Sequence, residues 1–307
     1  MRGRIDDAAH DFLYRGQAKP IDFAAPVGEP ALIAPDSVSW RVFKNPVSLF
    51  IGGVTAVILE FAEPRVRSGV WDFSTFKVDP GKRLRRTGLA AMVTVYGAKF
   101  LAERMIEGVR RMHDQVEGET PDGVAYRAND VELLNWVQAT ATFGFVEAFH
   151  RYVYPLTDAE RDRAFCESKP AATLYGAVSS PKSAPEQEML FAAMAPKLEA
   201  SPILFEFLKI MRTAPAFPQP IRLAQPTLVR AAVDLIPAPI REIVGLGPEF
   251  GLRPLEERIV RRAARRADRI ILPSSPAVKA CLRLGLAEDY LFNTPAKDQF
   301  APGGGGV

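Results

Sequence analysis

Helix-opening signals recur along this chain, and almost nothing in it alternates with the period of two that a half-buried strand requires. Asp79-Pro80 offers a capping carboxylate followed by Pro at the first helical position, where a missing N–H costs nothing. Thr157-Asp158-Ala159-Glu160 and Ser183-Ala184-Pro185-Glu186 read as capping boxes, and Asn129-Asp130-Val131-Glu132 as a variant with Asn at the cap. Ser201-Pro202 and Arg253-Pro254 open two more helices. One hairpin candidate runs over residues 116–127 and turns at Asp122-Gly123, a pair that accepts positive φ. The expected fold class is all-α, a single large helical domain of about ten helices with at most one small β-hairpin.

That domain is expected to span residues 39–292. Residues 1–38 predict an extended arm with a short helix at 6–14, and residues 293–307, with Gly303 to Gly306, a disordered tail. At 307 residues, 48% hydrophobic, the chain can bury a sizeable core. Its 39 basic and 36 acidic residues are too evenly matched for a general nucleic-acid coat, so no nucleic-acid partner is expected. Cys166 and Cys281 make neither a disulfide framework nor a metal-spaced pair. The N-terminal residues lack the apolar run of a secretory leader, and the expected location is cytoplasmic. Residues 47–62 are the most apolar stretch, but Ser48, Gly52, Gly53, Thr55 and Glu60 interrupt it. It falls short of the roughly 20 apolar residues that cross a bilayer. It predicts a buried core helix, with peripheral membrane contact as the lesser expectation.

Arg258, Arg261, Arg262, Arg265, Arg266 and Arg269 form the most basic stretch, with Ile259, Ala263, Ala267 and Ile270 assigned to the opposite face. This pattern predicts a solvated helix surface, with anionic lipid or an acidic partner as the runner-up. Aromatic residues are not interleaved, which argues against a single-stranded nucleic-acid groove. There is no G-x-S-x-G, Gly-rich phosphate loop or zinc spacing.

Chemistry concentrates in two neighbouring stretches. Residues 92–118 read as one helix stopped by Gly118, with Leu101, Met105, Val109, Met112 and Val116 as its apolar stripe. His113, one of only three histidines with His10 and His150, lies on the edge of that stripe. Such a residue is either a core histidine bonded to a backbone carbonyl or an axial iron ligand held rigidly against a flat cofactor. In the second case Met105, Ile106, Val109 and Met112 would pack on the macrocycle. Arg83, Arg86 and Thr87 stand at i, i+3 and i+4, and their face continues through the small residues Ala90, Ala91 and Thr94. Positive charge near a helix N-terminus is unfavourable, so these arginines answer to an anion. A haem propionate, the carboxylate of Glu60 or Glu63, or a phosphate would serve; the alternative is a solvated basic face. His150, amid Phe143, Phe145, Phe149, Tyr152 and Tyr154, predicts a structural histidine steadied by Glu147, with a distal acid/base or a second metal ligand as the alternative. The single Glu-x-x-His there has no second copy, as a di-iron bundle would need.

Together these segments resemble the MpaB-type oxygenases, which share a catalytic domain with the rubber oxygenase latex clearing protein. The resemblance covers residues 41–290 and rests on order and spacing. Asn45-Pro46 through Gly52-Gly53 to Glu60-Phe61-Ala62-Glu63-Pro64 is similar to the family's opening helix. Gly69-Val70, Ser74 and Phe76 precede Asp79-Pro80; Arg83-x-x-Arg86-Thr87 resembles the R-x-x-[KR]-T motif, with Tyr96-Gly97 following. His113-x-x-Val116-x-Gly118 and Tyr126-Arg127-Ala128-Asn129-Asp130, with Glu132-Leu133-Leu134-x-Trp136-Val137, complete the pattern.

The resemblance implies a mostly helical fold holding haem b, with His113 as the proximal iron ligand and Arg83 and Thr87 on the distal side. It also implies cleavage of isoprenoid double bonds with dioxygen. Two positions depart from it: Arg86 stands where rubber-cleaving members have Lys, and Gln138 where many relatives have His. A guanidinium stays charged, so Arg86 cannot cap iron as a neutral amine could. The expected function is a haem-dependent oxygenase for a hydrophobic alkene, in which Arg83, Arg86 and Thr87 orient dioxygen or stabilise developing negative charge. The alternatives are a lipid- or isoprenoid-binding protein that keeps the fold without redox turnover, and a peroxidase-like haem enzyme.

Overall fold

The computed structural model describes residues 2–15, 20–217, 219 and 221–293; apart from Asn293, the expected disordered tail lies outside the described residues. The fold is all-α with one small hairpin. Helices α1 (Arg2–Tyr14), α2 (Val38–Phe43), α3 (Pro46–Ala62), α4 (Pro64–Phe73), α5 (Pro80–Tyr96) and α6 (Lys99–His113) precede strands β1 (Glu117–Glu119) and β2 (Ala125–Arg127). Then come α7 (Val131–Tyr152), α8 (Asp158–Tyr175), α9 (Ala184–Met194), α10 (Pro202–Thr213) and α11 (Gln225–Val233). Helices α12 (Ala238–Ile243), α13 (Glu256–Ala267), α14 (Pro276–Arg283) and α15 (Tyr290–Asn293) close the order. Several of the longer helices start where the sequence predicts, α5 at Pro80, α8 at Asp158, α9 at Ala184 and α10 at Pro202.

Most openings follow the capping chemistry. Asp79 accepts from the Lys82 amide at 2.9 Å, and Thr157 and Glu160 complete a full capping box. Ser183 and Ser201 cap α9 and α10. Three expectations need correction. The helix read over residues 92–118 is two helices: α5 ends at Tyr96, and Gly97 leaves the helical path, placed where a Cβ would lie 2.5 Å from the Val93 carbonyl oxygen. Helix α6 ends at His113 itself, and Gly118, instead of stopping a helix, sits in β1 opposite Tyr126. Asn129 does not cap α7; Asp130 occupies that position, without a side-chain cap bond. Arg253-Pro254 lies ahead of α13, which starts after Leu255 in the left-handed region (φ 70°). The hairpin forms as expected, with Glu117 opposite Arg127 and Gly123 at φ +78°.

The centre of the molecule is the crossing of α3 and α7. Gly52 and Gly144 let the two backbones touch, since a Cβ on Gly52 would stand 2.6 Å from the Gly144 carbonyl oxygen. The Trp136 indole donates to the Leu59 carbonyl across this crossing, and Thr55 donates to the Ala232 carbonyl of α11. Helix α3 is buried along most of its length, as a core helix. Among the described residues no single helix is long and apolar enough to cross a membrane; α3 and α4 pass that test only as a pair bent by 112°.

A second core lies beside the first. Phe23, Ile33 and Trp40 from the N-terminal segment pack with Leu89, Val93 and Tyr96 of α5 and Ala277, Ala280 and Cys281 of α14. Residues 20–37 contain no helix, yet they lie against the body. Ala31 pairs with Ala98, the Lys99 amide donates to the Pro30 carbonyl at 2.8 Å, and the buried Arg283 guanidinium donates to the carbonyls of Phe23 and Glu29. On α13 the buried residues are Val260 and Ala264, one position later than the assigned apolar face; Ile259 and Ala263 are exposed. Glu256 and Glu257 turn to Arg230, Arg151 and Arg261, leaving Arg258, Arg262 and Arg266 on the outer face.

Candidate functional site

Helices α5 and α6 are joined by the bend at Gly97 and Ala98 and run back against each other, so the arginine face of one meets the histidine end of the other. The buried residues of α5 are Gly81, Leu89, Val93, Val95 and Tyr96, and Leu89, Val93 and Tyr96 lie on the side away from Arg83, Thr87 and Ala90. On α6 the buried residues are Ala102 and Ile106. His113 lies seven residues beyond Ile106, so it continues that inward line rather than sitting at its edge. The contact between the two walls is direct: an Arg86 Nη2 stands 3.3 Å from the Met112 sulfur.

Arg83 and Thr87 form a closed local pair. An Arg83 guanidinium N–H donates to the Thr87 hydroxyl, which itself donates to the Arg83 carbonyl at 3.0 Å. This fixes the rotamer of the guanidinium and aims its remaining donors outward from α5. The third wall is the end of α3, where Glu60 lies near enough to feel the Arg83 charge. Of the two carboxylates expected for these arginines, Glu60 is the one whose charge couples to Arg83. Glu63 is used elsewhere, accepting from the Val66 amide at 2.8 Å and pairing with Arg65.

Glu60, Arg83 and His113 are linked by charge and by partial burial. Glu60, Arg83 and His113 each keep part of their surface accessible. Burial nevertheless dominates the titration of all three, as expected of groups on the wall of a concavity rather than on an open face. Burial lifts the Glu60 carboxyl to about 7 against the opposing pull of Arg83. Burial also lowers Arg83, offset by Glu60 and reinforced by Arg86. The His113 imidazole is pushed below its ordinary 6.5, first by burial and then by Arg83; Asn129 and Asp114 act in the opposite sense. At neutral pH it is uncharged, the form that ligates metals.

The two ring nitrogens differ. Nδ1 is buried and lacks a geometrically complete hydrogen bond, whereas Nε2 is neither buried without a partner nor hydrogen-bonded to any described residue. A neutral imidazole with its outer nitrogen unspent, beside a recess lined by a guanidinium and a carboxyl, fits the protein side of a haem iron site. His113 would hold the metal, and Ile106, Val109 and Met112 share its helix.

The other expected site residues divide. Met105 packs at the margin of the second core, and Thr94 is occupied by the Ala90 carbonyl and the Tyr175 hydroxyl, 3.3 Å away. Neither is brought to His113 by a hydrogen bond. His150 is structural, since its Nδ1 accepts from the Leu156 amide at 3.0 Å. Glu147 pairs with Arg161 rather than steadying that ring. Gln138, at the other departure from the family pattern, donates to Thr142 one turn on. The residue that sequence reasoning assigned wrongly is Asn129. It follows β2, and the hairpin folds it back onto α6, where its amide donates to the Arg110 carbonyl (3.1 Å) and to Asp114 (2.6 Å). The Asp122-Gly123 turn was the available signal, because it returns the chain to the helix it has just left.

Comparison with known proteins fits this arrangement. Residues 40–269 match the family described as ER-bound oxygenase mpaB/B'/Rubber oxygenase, catalytic domain. No curated protein and no solved structure matches the chain. The matched span contains Glu60, Arg83, Arg86, Thr87, His113 and Asn129, and every helix from α3 to α13. On that extent of match, the chain belongs to the mpaB/rubber oxygenase catalytic-domain family and is an oxygenase domain at the level the family defines.

Proposed function

We propose that this chain is a haem b-dependent oxygenase that acts with dioxygen on a hydrophobic, alkene-bearing substrate of isoprenoid type. The observation that carries the proposal is the clustering of the His113 imidazole, its Nε2 unspent, with Arg83, whose charge reaches both His113 and Glu60, where α5 meets the end of α6. His113 Nε2 would ligate the iron. The haem, when bound, supplies the redox chemistry of dioxygen. Arg83 contributes a fixed positive charge and oriented N–H donors, already positioned by Thr87. Glu60 holds or releases a proton near neutral pH at a carboxyl facing that charge, so it can serve as acid or base toward an oxygen-bearing group in the recess. Arg86 remains charged and lies against the Met112 sulfur, where it narrows the recess without acting as a neutral ligand. The small side chains of Ala90 and Ala91 leave room for an apolar chain along α5.

The test is to titrate the purified protein with haemin and then follow dioxygen uptake with squalene. A haem-dependent uptake with cleaved or oxygenated squalene supports the proposal. Protein that binds neither haemin nor any isoprenoid overturns it. Arg86 at the Lys position motivates one second reading, a binding protein of the same fold, which predicts squalene binding without dioxygen uptake.

Glu60 gives a pH prediction with a definite sign. Its carboxyl titrates higher in the folded chain than the ordinary 4.5, at about 7. Its proton therefore favours the folded state, fully at acid pH, and that contribution is lost as pH rises through about 7. Thermal melts at about pH 5 and about pH 8 should show a smaller difference for Glu60→Gln than for the parent protein. An equal difference in the two would show that Glu60 titrates as an ordinary surface carboxylate.

A further inference from the structure

Two buried polar atoms near the recess lack partners, and they belong to neighbouring side chains: His113 Nδ1 and Asn129 Oδ1. A buried polar atom without a partner is costly, so two such atoms on adjacent groups call for a common explanation. The orientation of the Asn129 amide is settled by its surroundings. Its nitrogen faces the Arg110 carbonyl at 3.1 Å and an Asp114 carboxylate oxygen at 2.6 Å, both of which only accept. The amide cannot be turned over without setting oxygen against oxygen at both places, so Oδ1 must point away from them. An amide oxygen can only accept. Beside it stands an imidazole whose protonated form Asn129 favours. A ring N–H directed at Oδ1 satisfies both orphans together.

We propose that Asn129 is the positioning residue for His113: its Oδ1 accepts from Nδ1–H, which fixes the neutral ring as the Nδ1–H tautomer and leaves the Nε2 lone pair directed at the recess. A histidine that ligates a metal usually donates its other N–H to a carboxylate, carbonyl or water, which sets both ring orientation and basicity. Here a side-chain amide performs that task, held by the last turn of the helix that carries the histidine. The arrangement links three elements. The hairpin returns Asn129 to α6, the exposed carbonyl of Arg110 and the Asp114 carboxylate clamp the amide, and the amide clamps the ring. The significance of the tautomer rests on the haem reading, but the hydrogen bond itself does not.

Histidine tautomers can be read by nitrogen-15 NMR on the metal-free protein, and this chain offers a built-in contrast. It has three histidines. His150 Nδ1 accepts from the Leu156 amide, so a neutral His150 must be the Nε2–H form. His113 is expected to be the opposite, with its proton on Nδ1. Finding His113 as Nε2–H, or as an averaged mixture of the two, would overturn the proposal without any substitution being made. Asn129→Leu should release the ring into the mixed state and weaken haemin binding about 10–100-fold. Asn129→Asp sets a carboxylate oxygen against the Arg110 carbonyl and the Asp114 carboxylate, so it loses the clamp and should release the ring as Asn129→Leu does. A haemin affinity unchanged in Asn129→Leu while the tautomer shifts as expected would refute the haem reading and leave the hydrogen bond standing. An unshifted tautomer in Asn129→Leu would refute the positioning role. Should Asn129→Leu not fold, the tautomer of His113 in the parent protein still decides the matter, with Asn129→Asp as the second variant expected to release the ring.

Discussion

His113→Ala is expected to abolish the intense visible absorption that haemin acquires on binding, with affinity reduced by more than ~100-fold, because the substitution removes the only proposed ligand rather than a supporting contact. The fold should survive. His113 is the last residue of α6 and only partly buried, and in the described structure its ring makes no geometrically complete hydrogen bond. Far-ultraviolet circular dichroism and thermal unfolding should therefore match the parent protein while the haemin spectrum is lost. Added imidazole should partly restore the band by filling the space the ring vacated. Retention of an unperturbed haemin spectrum in His113→Ala would remove His113 as the ligand.

The second large effect concerns the scaffold. Gly144→Val should destabilise the protein by at least ~3 kcal/mol, because the added Cβ would overlap the Gly52 carbonyl and crowd the Ala56 amide at 3.2 Å. Ordinary overpacking is relieved when a neighbouring side chain changes rotamer. Here the opposing atoms are backbone in a helix, and relief requires α3 and α7 to separate. The measurement is the midpoint of thermal or urea unfolding. Gly108→Ala in α6 is the matched control, since an added Cβ would meet nothing nearer than an Arg111 nitrogen at 4.0 Å. Removing a helical glycine there should stabilise by about 0.5–1 kcal/mol. Equal effects of the two substitutions would mean that the crossing is not tightly packed.

These two sites also show how the sequence relates to the structure. His113 was legible because a lone imidazole near an apolar helical stripe, with Arg83, Arg86 and Thr87 at one-turn spacing, carries its own geometry. The helix openings were legible because caps and prolines act locally, as at Asp79 and Thr157. What escaped depends on contacts distant in sequence. Nothing local to Gly97 breaks the run from Met92 to Met112; the break is set by Ala31 pairing with Ala98. Asn129 fits a cap equally well in sequence, and only the returning hairpin commits its side chain to Arg110 and Asp114. Glu60 read both as an interruption of an apolar helix and as a possible partner of these arginines; the burial that raises its carboxyl comes from elements packed around it and is not written in its own segment. On α13 neighbouring positions are both apolar, so the helical phase could not separate Ile259 from Val260 until α3 and α7 were placed.

The bend between α5 and α6 has a consequence for how this domain should be handled. One wall of the recess hangs from each side of it, with Arg83 and Thr87 on α5 and His113 on α6. The corner is braced from outside the family-matched span, by Ala31 on Ala98 and by the Pro30 carbonyl on the Lys99 amide. A chain begun at residue 40 would retain every residue that touches the chemistry and lose the strut that sets the angle between the two helices. The boundary that sequence families draw and the boundary that mechanics requires therefore fall at different places, and the residues ahead of Trp40 belong with the working part of the molecule.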